Sequence, residues 1–214
     1  MNRIAIIDYG VGNLHSLVKV FEELDQSAFI TEEAEEILTA DALILPGVGA
    51  FKAGMEGLKV RGLIPVTKKF AKSGKPILGI CLGAQLLLSE GFEFGKFKGL
   101  NIIPGKVAKF PKIKDKIPHI GWNEVYEIKS KAKSQKSKWK NTILNSIPER
   151  SDVYFVHSYI LRPDKKDNIL ALAKYGGHEF CAAIKHGNIY GCQFHPEKSG
   201  KIGLKIIKNF IDLI

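Results

Sequence analysis

The chain has 214 residues, 45% hydrophobic and 25% charged, which suits one α/β domain over 1–214 with a sizeable buried core. Its formal net charge of +10 invites a nucleic-acid partner. Much of that excess is local, in Lys129, Lys131, Lys133, Lys136, Lys138 and Lys140, and no helix-turn-helix, RNA-recognition sheet or similar module accompanies it, so no nucleic acid is expected.

In chain order, the first predicted element is a short β-branched strand over 3–8, ended by Asp8-Tyr9-Gly10. It is too short for the apolar core of a signal peptide, and no small-residue cleavage site follows it. No apolar run elsewhere approaches the roughly 18 residues of a membrane span. The expectation is a cytoplasmic protein with no membrane partner. A helix follows with Leu14, Leu17, Val18, Phe21 and Leu24 along one face, and Asn13 is placed to cap it. Ala42-Leu43-Ile44-Leu45 predicts a second strand, stopped by Pro46-Gly47. Residues 51–72 predict helical segments interrupted near Gly62 and Pro65, and 76–80 a third strand that runs into a helix at about 83–90. Strand and helix alternating in this way are the signature of a parallel sheet covered on both faces.

The second half changes character. Short strand-like runs near 105–110, 122–128, 153–157, 169–175, 180–186 and 189–194 are punctuated by Gly, Pro and Asn, and His186-Gly187-Asn188 reads as a hairpin turn. These strands are expected to extend the sheet antiparallel or to form a small side sheet. The Lys/Ser-rich stretch 129–140 reads as an exposed insertion. The last helix, over 201–214, carries Gly203, Ile206, Ile207, Phe210, Ile211 and Ile214 on one stripe.

The three cysteines, Cys81, Cys181 and Cys192, are too few and too scattered for a disulfide framework or a zinc site, and no metal is expected. Cys181 and Cys192 lie in apolar runs and read as small core residues. Cys81 differs. In Gly79-Ile80-Cys81-Leu82-Gly83 a strand ends, one reactive residue follows between two glycines, and a helix begins. This is the nucleophile-elbow pattern with Cys as nucleophile; the helix N-terminus favours negative charge on the sulfur, and the N–H of Leu82 is placed to stabilise an oxyanion. A structural Cys at a tight turn is the plain alternative.

A thiol nucleophile needs a base, and the base an orienting group. Phe194-His195-Pro196-Glu197, at the end of the run 189–194, supplies both within three residues. Only the fold can join it to the elbow, across 114 residues of chain. The loop Pro46-Gly47-Val48-Gly49 would offer a second oxyanion donor, from Val48 or Gly49, opposite Leu82.

These motifs resemble those of the class I (triad-type) glutamine amidotransferases along almost the whole chain. More narrowly, IDYGVGNLHSL at 7–17, IPHIGWNEV at 117–125, VYFVHSY at 153–159 and GCQFHPEKSG at 191–200 resemble the glutaminase subunits of imidazole glycerol phosphate synthase. The resemblance implies a flavodoxin-like, three-layer α/β fold with a mostly parallel central sheet. It implies hydrolysis of L-glutamine to glutamate and ammonia, without a cofactor, by Cys81 as nucleophile, His195 as base and Glu197 as its partner. Gln85, Glu93, Ser158 and Tyr159 would then hold the substrate. Pro118, His119, Gly121, Trp122 and Lys198 would face a (β/α)₈ cyclase subunit, which takes the ammonia into histidine biosynthesis as partner in a heterodimer. Ala84 departs from the family's usual Met, and the basic stretch 129–140 is longer than expected. The runner-up is therefore a paralogue feeding ammonia to a sugar amidotransferase of surface-polysaccharide biosynthesis. A cysteine peptidase on a related fold and a catalytically silent binding subunit are the other classes weighed.

Overall fold

The structure, a computed structural model, describes residues 2–128 and 137–214. The first half is built on parallel strands β1 (Ile4–Ile7), β2 (Ala28–Thr31), β3 (Ala42–Leu45) and β4 (Ile77–Ile80). They are interleaved with α1 (Leu14–Glu23), α2 (Ala34–Thr39), α3 (Phe51–Val60), α4 (Leu63–Lys72) and α5 (Leu82–Leu86). The second half supplies β5 (Glu90–Gly91), β6 (Phe97–Lys98), β7 (Gly105–Lys109), β8 (His119–Tyr126), β9 (Ser151–His157), β10 (Tyr159–Pro163), β11 (Ile169–Tyr175), β12 (His178–His186), β13 (Ile189–Cys192) and α6 (Gly200–Ile211).

The described strands join in one sheet of order β2-β1-β3-β4-β13-β12-β10-β7-β5-β6. Pairing is parallel from β2 through β13, and antiparallel from β13 through β12 and β10 to β7. A branch leaves β12 through β11 and β8 to β9, all antiparallel. The second half thus both extends the main sheet and forms a side sheet.

Strand alternation explains the three layers. Ile4 and Ile6 of β1 pack with Leu17 and Phe21 of α1 and with Ile206 and Phe210 of α6 on one face. Ala5 and Ile7 turn to the other face, against Ile37 of α2, Leu58 of α3 and Phe70 of α4. Both faces of β1, β3 and β4 are fully buried, hence their continuous apolar runs.

Several sequence expectations change. The segment 25–41, left unassigned, contains β2 and α2; β2 is a half-buried edge strand of four residues, too short for a period to stand out. The break in 51–72 falls at Gly62, in the left-handed region at φ +68, whereas Pro65 sits in the first turn of α4, where no intrahelical N–H is required. The helix expected to reach 90 ends at Leu86, because the carbonyls of Leu86, Leu87 and Leu88 accept from the backbone of residues 100–103 instead of continuing the helix. β8 begins at His119, and β10 was not foreseen.

Of the stretch expected to be an exposed insertion, 129–136 lies outside the described residues. Its end is not exposed throughout: Trp139 is buried in the core and its indole N–H donates to the Leu170 carbonyl at 2.8 Å. Among the described residues no helix is long and apolar enough to cross a membrane.

Candidate active site

β4 and β13 are neighbours, parallel and in register, with Ile80 opposite Cys192. Their carboxyl ends therefore lie side by side, the usual place for a site in an open α/β sheet. Cys81 follows the first and His195 comes shortly after the second. The Cys81 N–H donates to the Cys192 carbonyl at 2.7 Å, which locks the two ends together.

Cys81 has φ 51 and ψ −105, a strained backbone for a residue with a side chain. Tight packing holds it there. A Cβ at Gly83 would come 1.7 Å from the Leu45 carbonyl oxygen, so α5 can approach β3 this closely only with glycine at that position.

His195 is equally fixed. Its N–H donates to Tyr154 of β9 at 2.9 Å, its carbonyl accepts from the Ser199 hydroxyl at 2.6 Å, and that hydroxyl accepts from the Tyr154 N–H at 3.0 Å. A 3₁₀ turn over Pro196–Lys198 then folds Glu197 back onto the ring, with Oε1 2.7 Å from Nδ1. α6 supports the turn closely: a Cβ at Gly203 would meet the Pro196 carbonyl at 1.8 Å. The second ring nitrogen, Nε2, is buried without a hydrogen-bond partner. Burial alone depresses this imidazole; the Cys81 sulfur and the Glu197 carboxylate outweigh it and push His195 up to about 10.

Cys81, His195 and Lys198 share a pocket of about 330 Å³ with Val48, Gly49 and Leu82. Gln85, Glu93, Ser158 and Tyr159 line it as well, so the residues expected around glutamine converge on one cavity. Glu93 also accepts from the N–H of Phe51 at 2.7 Å, tying the pocket to the first turn of α3.

Two expectations are corrected. The N–H of Leu82 is not free for an oxyanion; it donates to the Gly47 carbonyl at 3.3 Å, so the loop 46–49 occupies the donor it was expected to complement. His119 does not face outward. It sits on the inner side of β8 and is buried against Phe155 and Tyr175, while its neighbours Pro118, Ile120 and Trp122 are exposed. Gly121 is half-buried. The cross-strand pair Ile120–Val156 sets this exposed apolar face beside the pocket, since Val156 lines it.

Sequence reasoning missed four residues of the site. Tyr9 donates its hydroxyl to the Pro46 carbonyl and anchors the 46–49 loop. Gln193 donates to the Cys81 sulfur at 3.9 Å and accepts from Gln85 at 3.2 Å. Ser199 braces His195, and His157 lines the pocket. Gln193 had a signal: a fully buried amide inside an apolar run needs partners. Cys181 and Cys192 are core residues as read, and burial pushes both thiols well above their ordinary range. Among the described residues no cluster of three or more His, Cys, Asp or Glu side chains is arranged to hold a metal ion.

Residues 5–213 match the family described as "Glutamine amidotransferase class-I". The chain is 48% identical over 218 residues to imidazole glycerol phosphate synthase subunit HisH 1 of Legionella pneumophila (strain Paris), covering 100% of both. It is 48% identical over 216 residues to subunit HisH of Methanosarcina barkeri, again covering 100% of both. To the Chlorobaculum tepidum subunit HisH it is 42% identical over 209 residues, covering 98% of this chain and 99% of that one. Among solved structures, a glutamine amidotransferase superposes with a TM-score of 0.73 at 16% identity, covering 98% of this chain and 97% of that chain. PurLQS from Thermotoga maritima superposes with a TM-score of 0.70 at 16% identity, covering 99% of each. At such identities these two show the fold alone.

Proposed function

Since the chain belongs to the class I glutamine amidotransferase family, we propose that it is the glutaminase subunit of an imidazole glycerol phosphate synthase, hydrolysing glutamine at Cys81 and passing ammonia to a cyclase subunit in histidine biosynthesis. The observation that carries this is the clamp on His195: Nδ1 is held by Glu197, Nε2 is left without a hydrogen-bond partner, and the residue lines the pocket that Cys81 also lines.

The Cys81 proton passes to His195, and the sulfur attacks the side-chain carboxamide carbon of glutamine. The tetrahedral intermediate collapses as His195 returns the proton to nitrogen, and ammonia leaves a thioester. His195, now neutral, takes a proton from water; hydroxide adds to the thioester, glutamate departs and the sulfur is restored. An imidazolium favoured by Glu197 suits the first half of this cycle.

Backbone donors would stabilise the oxyanion, each worth roughly 10²–10³ in rate. With Leu82 engaged by Gly47, one such donor is withheld. We infer that the 47–49 loop must turn before turnover is fast, and that the synthase partner promotes this by seating on Pro118, Ile120 and Trp122 beside the pocket. Ammonia released into water would be protonated and lost, which gives a sealed passage between subunits its purpose.

The test is glutamate release by the purified chain, alone and with the cyclase subunit of the same source. Low activity alone, strong stimulation by the cyclase and loss of roughly 10⁴-fold or more in Cys81→Ala are expected. Labelling of Cys81 by a glutamine analogue without any stimulation would keep the glutaminase and move the acceptor to a sugar-amidating enzyme. Activity retained in Cys81→Ala would sink the triad.

A further inference from the structure

β8 and β9 set His119 directly opposite His157, and both rings are buried. Their nitrogens meet, His119 Nδ1 to His157 Nε2, at 3.1 Å. The other nitrogen of His157, Nδ1, lies 2.9 Å from the Tyr159 carbonyl. A carbonyl only accepts, so Nδ1 of His157 carries the proton. In a neutral ring Nε2 is then bare, and it accepts from the Nδ1–H of His119. A proton on His157 Nε2 would meet the Nδ1–H of His119 donor to donor, unless His119 moved its own proton to Nε2. The surroundings favour neutrality too: the His119 ring stacks on Tyr175 at 3.9 Å and on Phe155 at 4.9 Å between centroids, with Phe180 edge-on at 5.8 Å. Burial holds His157 down to about 3 and His119 down to about 4.

The row ends where the pocket turns. The Tyr159 carbonyl that accepts from His157 also accepts from the Gln85 amide at 3.4 Å, and the Ser158 carbonyl accepts from the Phe110 N–H at 3.2 Å. His157, Ser158, Tyr159 and Gln85 all line the cavity. The corner between β9 and β10 is therefore pinned from inside the protein by His157, whose tautomer is set by the Tyr159 carbonyl and whose bare Nε2 is satisfied by His119.

We propose that His119 and His157 act as one positioning unit, a neutral pair of fixed tautomer that holds the Ser158–Tyr159 corner on which the body of the glutamine substrate is seated. The pair does not touch the bond that breaks, and this role rests on the glutaminase reading above.

The experiment has two arms. In the first, ¹⁵N NMR of histidine-labelled full-length protein reads protonation directly. Both rings are expected neutral, His157 with a bare Nε2, and neither titrating between about pH 5.5 and 8. Either ring titrating near its ordinary value overturns the proposal, whether or not the protein is active. In the second arm, His119→Phe keeps an aromatic ring in the stack and removes the donor. In the complex with the cyclase, KM for glutamine is expected to rise roughly three- to tenfold with kcat within about twofold, the cost of one lost neutral hydrogen bond. Alkylation of Cys81 by iodoacetamide is expected to keep its rate. Unchanged KM, a fall confined to kcat, or slower alkylation overturns the positioning role. If the unsubstituted complex releases no glutamate, the glutaminase reading falls and takes the role with it. That outcome is distinct from an active complex whose variant matches it.

Discussion

The carboxyl ends of β4 and β13 and the β8–β9 edge each bury histidine, and the two regions come to different charge, one positive ring against a neutral pair. Burial pulls all three rings toward the neutral form. At the first region the Glu197 carboxylate, 2.7 Å from Nδ1, and the Cys81 sulfur outweigh it, and His195 is raised to about 10. At the second, His119 and His157 have one another and a backbone carbonyl, neither able to stabilise a positive ring as a carboxylate does, and both are depressed. Burial alone therefore does not tell a catalytic imidazole from a structural one; what accepts from its second nitrogen does.

Removing the carboxylate should have the largest effect. Glu197→Gln leaves the shape of the turn but gives His195 a neutral partner, as at the other region. Glutamate release by the complex should fall roughly 10²–10⁴-fold, and His195, followed by NMR, should titrate well below its present value. A variant with near-normal turnover would separate the charge of Glu197 from its orienting role.

Next in size is the packing that holds the first region rigid. Gly83→Ala must place a methyl group against the Leu45 carbonyl, and both the strand and the helix would have to move. A loss of about 3 kcal/mol in unfolding free energy is expected, with slower alkylation of Cys81 as the elbow relaxes. Equal stability in the variant would mean that α5 rides more loosely on β3 than the close approach implies.

The pH dependence of stability separates the regions by sign. His195, raised above an unfolded value near 6.5, binds its proton more tightly when folded, so its contribution is whole below about 6.5 and is lost progressively as pH rises to about 10. His119 and His157 are depressed, so their contributions are whole above about 6.5 and are lost as pH falls to about 4 and about 3. Tm measured across this range should show both limbs. Glu197→Gln should flatten the alkaline limb and His119→Phe the acid one. The reverse assignment of limbs would contradict the protonation states argued for both regions.

The two regions also differ in how legible they were. The first lay open in the sequence because its chemistry needs rare neighbours: a Cys between close glycines at a strand end, and His-Pro-Glu at another. Parallel pairing of adjacent strands did the rest, joining motifs 114 residues apart. The second was hidden. His119 and His157 each stand in a strand without a local motif, and their pairing depends on the β8–β9 register. The family resemblance turned His119 outward, whereas alternation along β8 turns it inward and leaves Ile120 and Trp122 outside. The oxyanion donor at Leu82 was misread for a similar reason. Sequence places an N–H at the elbow, but the carbonyl that takes it belongs to a loop 35 residues earlier. Trp139 escaped because its lysine-rich neighbours suggested solvent, while its own indole had a core partner in Leu170.

The smallest effect expected is the most specific. Trp122 is 57% exposed and touches Tyr154 across the strand pair, edge to face at 6.1 Å. More than half of its surface is free of the chain, so Trp122→Ala should lower unfolding free energy by only about 1 kcal/mol. Large aromatic anchors dominate protein interfaces, and a docked Trp122 would lose its exposed face to the cyclase. Binding of the cyclase should then weaken by about 2 kcal/mol or more, read by titration calorimetry, while the isolated chain keeps its basal glutamate release. A variant that folds, binds normally and is still stimulated would move the docking surface away from β8, and with it the route by which a partner could turn the 47–49 loop. If binding weakens yet saturating cyclase restores full stimulation, Trp122 serves affinity alone and the loop is moved through other contacts beside the pocket, Ile120 next to Val156 being the nearest.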